Sequence, residues 1–330
     1  MHQPIDIVYL WVDPTDEKWV AEKNKWMSRI TGKSHIDATH AARFRDNGEF
    51  LHSLRSVAEC APWVNHIYII TGFDQVPKWL NTSHPKITVV AHRDIMPADA
   101  LPTFNSDAIE MCIPNIKGLS ERFLLMNDDM FFARPLRPGY FFDRHGRAIV
   151  RHSTTRARPN RIDNKSNLYT ANLVHSAQLI EQTLGWTLYH MRPTHGIDPY
   201  LKSSWVECAS HPEIAPIVTQ TIYNKFRQNR QTQRWIFNLY DFAKGRAITI
   251  HSRARKFTRH KILNMIYNSI HWHSIRNSPV CCTNAHKAYK AIKHAPILCL
   301  NDSVDSGEDV LAANALFLEQ RWPNKCEFEK

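Results

Sequence analysis

The chain has 330 residues, with 42 Lys and Arg against 31 Asp and Glu, a formal charge of +11, and 19 histidines. Apolar residues make up 43% and charged residues 22%, enough to bury a sizeable core, which excludes a disordered chain. The ten glycines fall well below the average of roughly 7%. None forms GxGxxG or GxxxxGK, so bound phosphate must meet side chains, helix ends or a metal rather than a glycine-rich backbone cradle. No apolar run approaches the roughly 18 residues of a membrane span, and the N-terminus lacks the profile of a signal peptide. Seven scattered cysteines without a CxxC are expected to be buried or idle thiols in a reducing cytosol, rather than a zinc site or disulfide framework.

In chain order, Ile5–Trp11 is an apolar, β-branched run ending at Asp13-Pro14, as a buried strand should. Phe50–Ala61 carries Phe50, Leu51, Leu54, Val57 and Ala58 at helical spacing. His66–Thr71 and Lys86–Ala91 read as short strands, Ser106–Ile113 as a short helix, and Phe123–Met126 as a strand ending in Asn127-Asp128-Asp129. The alternation predicts an α/β fold, a doubly wound, mainly parallel sheet of Rossmann-like type, with helical C-terminal additions. Residues 135–170 are polar and aperiodic, a long loop or insertion. Helices are predicted over Tyr169–Leu184, Ile214–Arg227, Thr232–Ala243 and Asp309–Gln320. The expected division is an α/β core at 1–134, the loop at 135–170, a helical, basic region at 171–296, and a segment at 297–330 packing back on the core.

Ligands of a doubly wound sheet sit outside the carboxyl ends of its strands. Asp128 and Asp129 follow an apolar strand directly, Glu110 lies on the helix that feeds that strand, and Asp13 follows the first strand. Clustered carboxylates at such a rim suit a hard divalent cation that shares oxygen ligands with a diphosphate. Asp107-Ala-Ile-Glu110 also fits a capping box, in which Glu110 only satisfies a backbone amide, and Asp128-Asp129 also fits a solvated turn.

"IDIVYLWVDPTD" (5–16), "RFRDNGEFLHSLRSVAECAPWVNHIYIITG" (43–72), "QVPKWLN" (75–81), "LPTFNSDAIE" (101–110) and "GLSERFLLMNDDMFF" (118–132) closely resemble the first two signature regions of the Stealth family. "CLNDS" (299–303) with "FLEQRWPNKCEFEK" (317–330) is similar to the fourth region. "PTHGIDPYLKS" (193–203) with "NKFRQN" (224–229) is a weaker copy of the third. Stealth proteins are sugar-1-phosphate transferases, whose bacterial members build phosphodiester-linked capsular or exopolysaccharides. The resemblance implies that a nucleotide sugar such as UDP-GlcNAc is attacked at its β-phosphorus by an acceptor hydroxyl, releasing UMP. It carries catalytic roles to Glu110, Asp129, His195 and Arg227, with His190 a rival for His195, and Lys225 and Arg230 rivals for Arg227. Either Glu110 or His195 takes the acceptor proton. Donor binding falls to Trp11, Asp13, Arg43, Asp46 and Asn47. The implied metal, Mg²⁺ or Mn²⁺, falls to Asp128, Asp129 and Asp302.

The basic, aromatic-rich stretch 251–278, in a longer basic run to 294, suits a polyanion. A phosphodiester polymer acceptor or an anionic membrane face is expected there rather than nucleic acid. The expected partners are therefore a nucleotide-sugar donor and an oligosaccharide or phosphodiester polymer, and the expected location is the cytoplasm, at the inner face of its membrane. Two alternatives stay open: a glycosyltransferase releasing UDP, and a non-catalytic polyanion-binding protein.

Overall fold

The computed structural model of the chain describes residues 3–29, 40, 43–153, 167–189, 191–251, 279–301 and 306–330. Four strands, β1 (Ile5–Leu10), β2 (Ile67–Thr71), β3 (Ile87–Ala91) and β4 (Arg122–Asn127), run parallel in the order β3-β2-β1-β4. Strand β2 is buried along its whole length, which is why it reads as a continuous apolar run rather than an alternating one. The register pairs Leu10 with Asn127, so Trp11 and Asp128 leave the sheet side by side at its carboxyl rim. The mainly parallel α/β fold expected from the sequence is therefore present.

Helix Glu49–Cys60 covers one face, burying Phe50, Leu54, Val57 and Cys60. Those positions follow a 3.6-residue period, which keeps one stripe toward the core. The chain enters this helix through Gly48 at φ 94°, a left-handed conformation that glycine adopts at little cost. Phe50 stacks on Trp11 with ring centroids 6.0 Å apart. Two serines of the same helix hold the next strand, β5 (Met130–Phe132). Ser53 Oγ donates to the Met130 carbonyl at 2.5 Å, and Ser56 Oγ accepts from the Phe132 amide at 3.0 Å.

The later half adds strands as well as helices. Strands β6 (Ala148–Ser153), β7 (Arg192–Pro193) and β9 (Ala247–His251) form a three-stranded sheet ordered β7-β6-β9. Strand β8 (Asp198–Leu201) joins the parallel sheet as an antiparallel edge against β4. Strands β10 (Val280–Cys282) and β11 (Ile297–Leu300) pair with each other in parallel, and β11 pairs antiparallel with β5. So 135–170 is not without regular structure, since Ala148–Ser153 is a strand, and 171–296 is not purely helical. These strands are short, and β8 contains Pro199; only the neighbours they meet across the fold make them strands. An edge position tolerates that proline, and Asn238 Nδ2 donates to its carbonyl at 3.0 Å.

One apolar core takes in residues from Ile5 to Phe328. The C-terminus is tied down by Arg55, whose Nε and Nη2 donate to the two Glu329 carboxylate oxygens at 2.8 Å each, and by Lys330 N donating to the Trp79 carbonyl at 2.9 Å. The basic stretch 252–278 lies outside the described residues, as do His190 and Asp302.

Asp241, on helix Trp235–Ala243, is 1% exposed. Burial pushes its carboxyl from 3.8 up to about 7, opposed by Ser204 and Arg246. The native state then keeps a proton that the unfolded chain has released, so stability falls as pH rises from about 4 to about 7. Thermal melts across that window should show a falling Tm, and Asp241→Asn should make the slope shallower. An unchanged slope would contradict the assignment.

Candidate active site

A cavity of about 540 Å³ opens at the carboxyl rim of the parallel sheet, and Trp11, Arg43, Glu110, Asp128, Asp129, His195 and Arg227 all line it. The tertiary fold thus brings together residues from six stretches of sequence. Asp13, Asp46 and Asn47 are not among the lining residues. Asp13 closes a local turn, accepting from the Thr15 amide at 2.8 Å and hydroxyl at 2.6 Å. Asp46 accepts from Trp11 Nε1 at 2.7 Å and from the Gly48 amide at 3.0 Å, so it orients a wall rather than forming one. Asn47 donates to Glu49 through its amide and its Nδ2.

The turn Asp128-Asp129 sits between β4 and β5. The Leu300 amide donates to the Asp129 carbonyl at 2.9 Å, so strand β11 fixes the turn from across the fold. Asp129 Oδ2 accepts from the Cys299 thiol at 3.3 Å. Its Oδ1 is buried without a hydrogen-bond partner, an exposed cost in any protein interior unless a ligand supplies the missing contact. Loss of surrounding water pushes the Asp128 carboxyl well above its ordinary value, and Asp129, Asp46 and Glu49 add to the rise. Two carboxylates that repel each other on one turn, one with an unpartnered oxygen, fit a divalent cation.

Glu110 does not form the capping box. Asn105 caps its helix, Ser106–Met111, by accepting from the Asp107 amide, and Glu110 turns inward to Arg234. Arg234 Nη1 donates to Glu110 Oε1 at 3.1 Å and to Asn127 Oδ1 at 2.9 Å, and its Nε lies 4.0 Å from Asp198. Burial raises the Glu110 carboxyl, against the pull of Arg234 and Arg227. Burial likewise lifts Asp198 to about 7. Arg227 is committed to Asp107 at 2.6 Å and to Ser106 Oγ at 2.9 Å, while its Nε is buried without a partner.

Burial lowers the His195 imidazole below its ordinary value, with Asp129 opposing and Arg234 and Arg192 adding to the drop. The loop that carries it passes close to the β10 strand: a Cβ on Gly196 would lie 2.7 Å from Pro279 Cβ, so glycine is the residue that permits this approach. Asp129, His195 and Cys299 offer ligand atoms all within 4.8 Å of one another. All seven thiols are free, and two of them stand at the edge of the site: Cys299 touches Asp129, and Cys281 Sγ lies 3.7 Å from Cys299 Sγ. Sequence reasoning also missed Arg234 and Asp198. Asp198 lay within the quoted "HGIDPY", whereas nothing marks Arg234 among its neighbours Arg227 and Arg230.

Arg234→Met would leave Glu110 and Asp198 buried without their cation, a loss of about 3–5 kcal/mol. Chemical denaturation should show that loss, and Glu110→Gln in the same chain should recover part of it. No recovery would mean that the ion pair is not the source of the effect.

Residues 3–31 match the model of Stealth protein conserved region 1, and residues 43–150 match conserved region 2. The exopolysaccharide phosphotransferase cps2G of Lactiplantibacillus plantarum is 49% identical over 142 residues, 43% of this chain and 40% of that protein. The capsular polysaccharide phosphotransferase cps1A of Actinobacillus pleuropneumoniae is 44% identical over 147 residues, 44% of this chain and 40% of that protein. The shared part is thus less than half the length of either relative. Among solved structures, the galactosyltransferase LgtC in complex with donor and acceptor sugar analogues gives a TM-score of 0.45 at 11% identity, over 96% of this chain and 95% of that chain, a likeness too slight to argue from. Through residues 3–31 and 43–150 the chain matches Stealth conserved regions 1 and 2.

Proposed function

We propose that this chain transfers hexose-1-phosphate from a nucleotide sugar, UDP-GlcNAc or a similar donor, to a sugar hydroxyl, building a capsular or exopolysaccharide and releasing UMP. The observation that carries this reading is the Asp128-Asp129 turn, with its unpartnered buried oxygen, facing Glu110, His195 and Arg227 across one cavity. The names of the matched relatives support the same class of reaction.

In this reading Trp11 and Arg43 receive the donor. Asp129 and Asp128, with Asp302, hold Mg²⁺ or Mn²⁺, which when bound supplies charge neutralisation on the diphosphate. The acceptor oxygen forms a bond to the β-phosphorus as the bond to the UMP oxygen breaks. The acceptor proton passes to a ring nitrogen of His195, which the lowered basicity keeps neutral and able to accept at pH 7. Glu110, whose carboxyl is raised and tied to Arg234, is the alternative acceptor of that proton. Arg227 neutralises charge growing on the transferred group, as cations do in phosphoryl transfer. A polymer acceptor and an anionic membrane face at the cytoplasmic side complete the reading, resting on the basic residues of 251–294.

Phosphorus NMR on the chain with UDP-sugar, acceptor and Mg²⁺ tests it. UMP and a new phosphodiester signal are expected, and Asp129→Asn should cut turnover by at least about a hundredfold. UDP release would instead indicate transfer at the anomeric carbon. Unchanged polyanion binding with no turnover in either protein would favour a binding module.

A further inference from the structure

We propose that Asp129, His195, Cys299 and Cys281 form a binding site for a thiophilic divalent cation of the Zn²⁺ type. The four residues come from separate segments that the fold fixes in place. Asp129 is on the turn before β5, Cys299 and Cys281 are cross-strand partners on β11 and β10, and His195 is on the loop between β7 and β8. The Leu300–Asp129 backbone bond and the contact of Gly196 with Pro279 tie the segments together. Asp129, His195 and Cys299 are therefore already gathered, and Cys281 would have to close the remaining distance from its place beside Cys299.

Two of the separations match a small tetrahedral ion, and Cys281 lies beside Cys299 but outside the set of three whose ligand atoms are all mutually close. With Zn–S near 2.3 Å, two thiolates on one tetrahedron lie about 3.7 Å apart, and a thiolate and a carboxylate oxygen about 3.6 Å. The Cys281–Cys299 sulfur separation is 3.7 Å, and Cys299 Sγ to Asp129 Oδ2 is 3.3 Å. The His195, Asp129 and Cys299 ligand atoms all fall within 4.8 Å of one another. Two sulfurs, an imidazole and one carboxylate select Zn²⁺ over Mg²⁺, which prefers an all-oxygen octahedron. Cys281 is exposed, which gives the ion a route in from solvent. Binding releases the two thiol protons to solvent, the metal taking the sulfur lone pairs.

The site shares Asp129 and His195 with the proposed transferase. A thiophilic ion there withdraws both from the reaction, so the same residues give an inhibitory site. That consequence rests on the proposed function; the binding itself does not.

The chain is titrated with Co²⁺ in a non-thiol reductant, as a spectroscopic stand-in for Zn²⁺. A thiolate-to-cobalt charge-transfer band saturating at one ion per chain is expected. Zn²⁺ should bleach it, and a large excess of Mg²⁺ should not. Cys299→Ser should weaken binding at least about a hundredfold, and Cys281→Ser should roughly halve the band, with circular dichroism confirming that each variant folds. Asp129→Asn, which keeps both sulfurs, should retain the band at weaker affinity. A cobalt spectrum without the thiolate band, unchanged binding by both cysteine variants, or displacement by Mg²⁺ would each overturn the proposal. If the band appears but no donor is turned over, the metal site stands and the transferase reading falls. If turnover occurs without a band, the reverse holds.

Discussion

The rest of the site depends on one buried cation. Arg234 bonds Glu110 on the helix before β4, Asn127 at the end of β4, and approaches Asp198 on the antiparallel edge strand β8. Burial opposes its charge, and Glu110, Tyr200 and Asp198 more than offset that opposition. A charge taken out of water is tolerated only when it is paired and hydrogen-bonded, so the three elements are constrained to meet where this guanidinium lies. That requirement adds to the apolar contacts that hold the helix, the parallel strand and the edge strand together.

The second constraint is the turn at Asp128-Asp129. A parallel sheet on its own would leave this turn pointing into solvent. Here β5 folds back against the serines of helix Glu49–Cys60, and β11 pairs with β5 and donates to the Asp129 carbonyl. The C-terminal strands therefore complete the rim of the cavity and bring two thiols to its edge. The resulting pocket is hard on one side, with carboxylates, and soft on the other, with sulfur and imidazole. Which cation Asp129 would hold depends on which side that ion engages.

Much of the first half was legible in the sequence because its signals are local. Continuous apolar runs gave β1, β2 and β4, the 3.6-residue stripe gave the helix on Phe50, and the motif around Asp129 marked the rim. The strands of the second half were not legible. Ala148–Ser153, Asp198–Leu201 and Val280–Cys282 are short, and one contains proline; each is a strand because of a partner far away in sequence. Alternation is read over about four to eight residues, which Asp198–Leu201 and Val280–Cys282 barely reach or miss, and Ala148–Ser153 sits inside a polar, aperiodic stretch.

The same division runs through the site. The residue types and their motifs marked carboxylates, a histidine and an arginine as candidates for one site, since those identities are written one residue at a time. They also determined that no glycine-rich cradle takes part. Only the tertiary structure decided which partners these residues have: that Glu110 meets Arg234 rather than its own helix amide, that Arg227 is committed to Asp107, and that Cys299 reaches Asp129 across 170 positions. Pairing and burial are properties of distance in space, and the order of residues along a chain does not set that distance until the chain is folded.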